Sequence, residues 1–386
     1  MTKSIWLYVG LGTLMMLLLG IVYVYSIFRV ELIHEYGVSV FVSGLPYMFN
    51  LFFYALFMAI GGRLYQRINT NYVAVLGTVL IGGGFVLASL WHSIFGIVLT
   101  YGVMIGSGVG LLYGLPLRIV SQLTYSKPGL VTGIVLMGFG LSSVIFAPVV
   151  ELGIETVGMT DTFLILGITY TVLLAGLLIP LTKRDQAPIT SQKASYPMLK
   201  ERSFYLIYGL FFIGTLIGLT FIGLVRNIGE DVIGLSAGEI ALYIGLFSIL
   251  NGIGRPLFGY LNDHIGFVTS GALAFSFVLL AVVMLFLSDG FVIFLLSFSL
   301  IYVTFGGWLS LAPSVTISHF GKANYSQNYG VMFTAYGLGA LLGTGFGGLL
   351  IEWFSYDALY VMLGSLALLG WIILIWKQPL LSTKKS

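Results

Sequence analysis

Cysteine is absent from this 386-residue chain, which excludes disulfides, thiolate metal sites and thiol nucleophiles. Charge is nearly as scarce: 8% of residues are Asp, Glu, Lys or Arg against 58% hydrophobic, and the mean hydropathy is +1.04. That leaves too little polar surface to cover a water-soluble globule, so the solvent for most of the chain is lipid. Every Asp and Glu falls in a polar connection or near the end of an apolar run, and His34, His92, His264 and His319 also lie in or beside connections. An intramembrane enzyme would want an acid pair, a Ser/His pair or metal-spaced His within its spans, so neither catalysis, a metal nor a cofactor is expected. No soluble domain is present to carry a basic face for nucleic acid or to hold a nucleotide. The strings Gly106-Ser-Gly-Val-Gly110 and Gly337-Leu-Gly-Ala-Leu-Leu-Gly343 lack the preceding strand and following Lys of a phosphate loop, and read as close helix packing.

What the chain has is apolar length. Runs of roughly 20 residues, enough to cross about 30 Å of hydrocarbon as a helix, recur throughout. Twelve are expected, near 5–28, 39–61, 72–91, 94–121, 129–153, 161–181, 204–226, 238–260, 267–288, 290–317, 328–353 and 357–376. The first follows only Lys3, is too long for a signal-peptide core and lacks a clean cleavage site, so it is read as a retained helix. With the N-terminus in the cytoplasm, Lys3, Arg63, Arg67, Lys127, Lys183, Arg184, Lys193, Lys200, Arg202, Lys322, Lys377, Lys384 and Lys385 fall inside, against Arg29 and Arg226 outside. Both termini are then cytoplasmic, in a multi-pass protein of the cell membrane whose standing partner is the lipid bilayer.

One long polar stretch, 182–203, divides six runs from six: an N-terminal bundle over 1–181, a cytoplasmic linker, and a C-terminal bundle over 204–386. Sliding the chain along itself by 197 residues brings Arg29 onto Arg226, Gly37 onto Gly234, Ser39 onto Ser236, Gly62 onto Gly259, Gly110 onto Gly307, Pro116 onto Pro313, Gly133 onto Gly330 and Gly140 onto Gly337. Because each copy has an even number of spans, both enter the membrane in the same orientation and are related by an axis along its normal. The expected fold is an all-α membrane protein of twelve transmembrane helices in two pseudo-symmetric six-helix bundles, a monomer. Such bundles can rock to expose a central site to each side in turn.

Between the second and third helices of each copy stand Gly62-Arg63-Leu-Tyr-Gln-Arg67-Ile-Asn69 and Gly259-Tyr-Leu-Asn-Asp263-His-Ile-Gly266. Both resemble the G-x-L-x-D-R-x-G loop of the major facilitator superfamily, and the first departs from it at Gln66 and Asn69. Such a loop is expected to set an acid near the N-terminus of the next helix, with a base nearby, as a conformational latch. Gly62, Arg63, Arg67, Gly259, Asp263 and Gly266 are therefore gating candidates. The stretches Tyr113-Gly-Leu-Pro116, Gly129-Leu-Val-Thr-Gly133, Gly138-Phe-Gly140, Asn251-Gly-Ile-Gly-Arg255-Pro-Leu-Phe-Gly259, Phe305-Gly-Gly307, Asn328-Tyr-Gly330 and Tyr336-Gly337 are similar to the oxalate/formate antiporter and monocarboxylate transporter branch. That resemblance implies carriage of a small organic anion, with proton or counter-anion coupling.

Residues that break the repeat are the better binding candidates. Arg255 falls on Met58 and lies eight residues before Asp263, about 12 Å deeper at 1.5 Å per residue. A guanidinium there costs roughly 2.5–3.5 kcal/mol on insertion scales unless a cavity or an anion compensates it, and its planar fork matches a carboxylate. The resemblance implies an anchoring Arg at this Arg-Pro position. Asn251 lies one turn before it on the same face. Animal monocarboxylate carriers are expected to have a titrating Asp there, which argues against proton symport by that route. Tyr113 sits in a stretch that the resemblance implies touches substrate, and Tyr336, Tyr23, Tyr302 and Trp308 are candidates for an aromatic cavity wall. Arg118, near a cytoplasmic helix end, is read as snorkelling, and Arg29 and Arg226, with Glu31 and Glu230 close by, as external anchors. Oxalate exchangers of the group are expected to add a Lys in the eleventh helix. This chain has no Lys or Arg from Asn328 to Trp353, which favours a monoanion such as lactate, pyruvate or formate.

Overall fold

The computed structural model describes residues 2–123, 127–185, 196–322 and 324–381, and no strand occurs among them. Twelve membrane-spanning helices follow in order: α1 (2–36), α2 (Val40–Arg67), α3 (Thr70–Leu90), α4 (Ile94–Gln122), α5 (128–157), α6 (159–184), α7 (Arg202–Val232), α8 (237–265), α9 (267–287), α10 (Phe291–Phe320), α11 (Tyr325–Trp353) and α12 (Tyr356–Trp376). The 21 residues of α3 rise about 31 Å, one hydrocarbon thickness. Several helices outrun their apolar stretch: α2 ends at Arg67, not near 61, and α1 reaches Tyr36. Lys193, Lys384 and Lys385, and residues 186–195 of the expected linker, lie outside the described residues.

Local chemistry places the helix ends, and the repeat shows in it. Gly37 and Gly234 both take left-handed backbone, at φ 59° and 78°, where a Cβ would be strained. Two residues later Ser39 and Ser236 cap the next helix, accepting from the amides of Val42 and Glu239 at 3.3 and 3.4 Å. Two tight turns have no loop at all. α5 passes to α6 at Gly158 (φ 84°, ψ 168°) and α8 to α9 at Gly266 (φ 79°, ψ 169°), a backbone region open essentially to glycine alone.

The described chain gathers into two compact units. One takes in Met1–Thr124, Leu141–Ser195 and Lys322–Gly337, the other Tyr125–Gly140, Tyr196–Gly321 and Leu338–Ser386. In the first, α4 is the inner helix, with Leu111, Leu112, Tyr113, Leu115 and Ile119 buried, while α3 and α6 turn Val75, Val79, Ile168 and Val172 outward. In the second, α10 is inner, and α9 and α12 expose Leu280, Val283, Leu287 and Leu368. Apolar outer faces of this kind are stable against acyl chains and not against water. The Gly-rich strings do pack. A Cβ at Gly106 would meet the Asn50 backbone, at Gly108 the Gly77 carbonyl, at Gly110 the Tyr54 carbonyl and at Gly343 the Leu216 carbonyl.

One basic residue differs from its sequence reading. Arg118 does not snorkel: its Nε lies 2.9 Å from Asp185, and both side chains are nearly inaccessible. The end of α6 delivers Asp185, whose carboxylate also accepts from Gln122 Nε2 at 2.9 Å and Thr70 Oγ1 at 2.6 Å. A buried pair so surrounded loses about 3–5 kcal/mol when one partner is removed. Arg29 reaches along the first unit to Ser43, its Nε donating to Oγ at 3.1 Å, whereas Arg226 pairs with Glu230 at 2.8 Å on an exposed helix face.

The turn at Gly266 gives a direct check. Gly266→Ala is expected to lower stability by about 1–3 kcal/mol through backbone strain. Gly209→Ala, in helical backbone with open space around its Cβ, should be neutral or stabilising. Thermal unfolding of both variants in detergent measures the difference.

Candidate functional site

Arg255 is fully buried in α8, and its guanidinium is held on three sides. Nη1 donates to the Leu136 carbonyl of α5 at 2.8 Å and Nη2 to Asn251 Oδ1 at 3.2 Å, the i, i+4 partnership that the spacing predicts. The guanidinium carbon stands 5.5 Å from the centroid of the Phe139 ring, within cation–π range. Nε is buried with no partner. Neither ion pair found among the described residues includes Arg255. Its partners are therefore dipoles and a ring, and no acid paired to it among the described residues neutralises its charge.

Glycine lets α5 come this near. A Cβ at Gly133 would collide with the Arg255 carbonyl, and one at Gly140 would lie 2.8 Å from the Gly252 backbone. The repeat sets the same contacts in the first unit, where Gly330 of α11 meets Met58 and Gly337 meets Ala55 on α2. Leu136, Phe139 and the glycines beside them were not singled out as site residues. Gly133 and Gly140 were visible in the repeat as matched pairs with Gly330 and Gly337, whereas Leu136 acts through a backbone atom and carries no side-chain signal.

The remaining candidates fall into separate neighbourhoods. Tyr302 joins Arg255 indirectly: its carbonyl is 3.5 Å from Asn251 Nδ2, and its ring lies 5.2 Å from Phe247. Trp308 packs with Phe275 at 4.8 Å and Phe267 at 6.4 Å in the α9–α10 core, its Nε1 unpartnered. In the first unit, Tyr23 and Tyr336 bring their hydroxyls to 3.5 Å. Tyr54 gathers Tyr113, Tyr336 and Phe333 around it at 5.2, 5.7 and 5.0 Å. Tyr54 was missed, although the offset sets it on Asn251, as it sets Met58 on Arg255. Each unit thus carries a polar break in the repeat at one level of α2 or α8: phenols in one, an amide and a cation in the other.

The gating candidates differ in kind. Asp263 caps α5 and not the helix that follows it: Oδ1 accepts from the Gly129 amide at 2.9 Å and Oδ2 from the Leu130 amide at 2.8 Å. The sequence expectation fails because the turn at Gly266 starts α9 at once, while Gly259, packed on the Gly129 carbonyl, brings the free α5 terminus within reach. In the first unit Gly62 packs on the Ser326 carbonyl, and Gln66, standing where the acid would be, reaches Asn324 at 3.5 Å. Arg63 and Arg67 are exposed. A cavity of about 530 Å³ opens beside Asp263, lined by Thr132, Asn262, Ser314, His319 and Gln378. Where the offset sets Tyr65, Tyr325 and Tyr329 in the first unit, this cavity has Asn262, Pro128 and Thr132. Arg255 does not line it. No group of three His, Cys, Asp or Glu able to hold a metal occurs among the described residues.

Asp263→Asn leaves one acceptor oxygen for two α5 amides. We expect a loss of about 1 kcal/mol, the usual scale for a helix N-cap, read as a lowered melting temperature of the purified protein.

The model of the Major Facilitator Superfamily matches the chain over residues 9–344 and again over 231–386. The oxalate:formate antiporter of Oxalobacter formigenes is 24% identical over 372 residues, which are 92% of this chain and 87% of that protein. Monocarboxylate transporter 12 of Xenopus laevis is 24% identical over 345 residues, 79% of this chain and 73% of that one. Among solved structures, a bacterial homologue of the iron transporter ferroportin in an outward-facing state superposes with a TM-score of 0.73 at 15% identity, covering 96% of this chain and 99% of its own. With all twelve spans and the paired glycine-rich loops in place, the chain belongs to the major facilitator superfamily and is a multi-pass membrane transporter, not an enzyme.

Proposed function

We propose that this transporter carries small organic anions, of the monocarboxylate class typified by lactate, pyruvate and formate, by alternating access around Arg255. One observation carries the reading: a fully buried guanidinium with no acid paired to it among the described residues and with one nitrogen, Nε, lacking any partner. Such a group is stable in a membrane protein when an anion completes it, and a carboxylate can take two of its N–H donors at once. Asn251 holds the fork in place without titrating, so coupling by proton uptake at that residue is excluded and exchange or facilitated diffusion is favoured. Tyr113, Tyr336, Tyr23 and Tyr302 are proposed to serve the same cargo, and Trp308 to support the fold around it. Both termini are proposed to face the cytoplasm, in the cell membrane.

The relative from Oxalobacter formigenes supports a second reading, exchange of oxalate with formate. A dianion would require a second cation, and the stretch Asn328–Trp353 contains no Lys or Arg to supply it. Monoanions are therefore placed first. Uptake of labelled lactate, pyruvate, formate and oxalate into proteoliposomes tests the reading. Arg255→Gln is expected to reduce monocarboxylate uptake by on the order of 10–100-fold, the worth of a charged hydrogen-bonded contact. An imposed pH gradient should leave the wild-type initial rate largely unchanged. Uptake of oxalate as tight as that of lactate would overturn the monoanion assignment, and an unaffected Arg255→Gln variant would overturn the anchor.

A further inference from the structure

One face of α5 meets the Asn251–Arg255 turn of α8 at four consecutive points. At Gly133 the helix lies against the Arg255 carbonyl. Leu136, three residues on, gives its own carbonyl to Nη1. Phe139, three further, sets its ring against the guanidinium. Gly140 abuts Asn251, where a Cβ would stand 3.0 Å from Oδ1, the atom that accepts from Nη2. The spacing keeps all four on one side of the helix. Two edges of the planar cation are thus tied, one to each helix, and a ring meets it from α5. Two of its five N–H donors are engaged in this way, and Nε is the one nitrogen of the three that is buried with no partner.

We propose that Phe139 is a positioning residue of the anion site: its ring, with the Leu136 carbonyl, fixes the plane of Arg255 so that Nε–H is presented to an incoming carboxylate. The inference rests on the reading of Arg255 as the anchor. The first unit shows what the same face does without a cation. There the offset puts Met58 in place of Arg255, and Phe333 and Tyr336 in place of Leu136 and Phe139, and those two rings stack at 4.8 Å against Tyr54. An aromatic at this level packs in both units; the charged partner is special to Phe139. Orientation matters because a carboxylate gains two parallel bonds only when it is coplanar with the fork, whereas a non-planar sulfonate of equal charge gains less from that plane. Phe139 therefore contributes to the choice of headgroup as well as to affinity.

The test measures labelled lactate uptake into proteoliposomes, with propionate and ethanesulfonate as competitors of equal charge. Phe139→Leu is expected to raise the half-saturating lactate concentration roughly three- to thirtyfold, the scale of a buried cation–π contact, with the maximum rate changed less than about twofold. The preference for propionate over ethanesulfonate should narrow with it. Phe139→Tyr keeps the ring and should restore both quantities. Phe139→Met serves if the Leu variant does not fold, with the same expectation. A Leu or Met variant of wild-type affinity, or a Tyr variant as impaired as the Leu variant, overturns the inference; so does a fall in maximum rate at unchanged half-saturation. Arg255→Gln separates the two levels. If it abolishes uptake while Phe139→Leu is normal, only the positioning role falls, whereas if it transports normally the anchor reading fails and takes this inference with it.

Discussion

A guanidinium enclosed by helices must be met by whatever polar atoms the fold can bring to it, and here they come from α5 and from its own helix, α8. No acid approaches Arg255 among the described residues, so one backbone carbonyl, one amide oxygen and one aromatic ring receive it. That arrangement requires α5 and α8 to touch at backbone distance, which in turn requires Gly133 and Gly140. Further along, the Gly129–Gly259 contact brings the start of α5 to Asp263, whose carboxylate takes the first two free amides of the helix. The cation and the cap are thus two consequences of one helix crossing. Any motion that parts these helices must break a helix cap and a charge-assisted hydrogen bond together.

The duplicated sequence repeats the crossing and changes its chemistry. Gly62, Gly330 and Gly337 give α2 and α11 the same close approach, but Met58 and Tyr54 occupy the levels of Arg255 and Asn251. The first unit fills that level with stacked rings and phenol hydroxyls. Farther along, Tyr65, Tyr325 and Tyr329 occupy the places that in the second unit are left to Asn262, Pro128 and Thr132 around a cavity. The glycine contacts are kept and the side chains at this level are changed.

Much of this was legible in the residues. Apolar run length is dictated by bilayer thickness, so helix number and order could be counted. Glycine is read well by a repeat, because a backbone contact or a positive φ tolerates nothing else; Gly37 and Gly234 match in sequence and in conformation. Charge in an apolar run is equally legible, since its insertion is costly enough to demand a reason, and Arg255 declared itself on that ground. Arg118 shows the limit. It lies in an inner helix, and its partner Asp185 stands 67 residues away at the end of another. A side chain able to snorkel and one able to pair look alike until the fold brings the acid.

The sequence by itself determined that the chain lives in lipid, crosses it twelve times, carries an internal repeat and departs from that repeat at Arg255, because composition, length and periodicity are local properties. Only the tertiary structure decided which atoms meet across the crossings: that the Leu136 carbonyl and the Phe139 ring receive the arginine, that Asp263 caps α5 and not α9, and that Tyr54 sits at the centre of the phenols. The reason is physical. Backbone carbonyls are the same in every residue, and a ring has no sequence mark for the cation it faces, so such partners become distinguishable only when helices distant in sequence pack at a particular angle and depth.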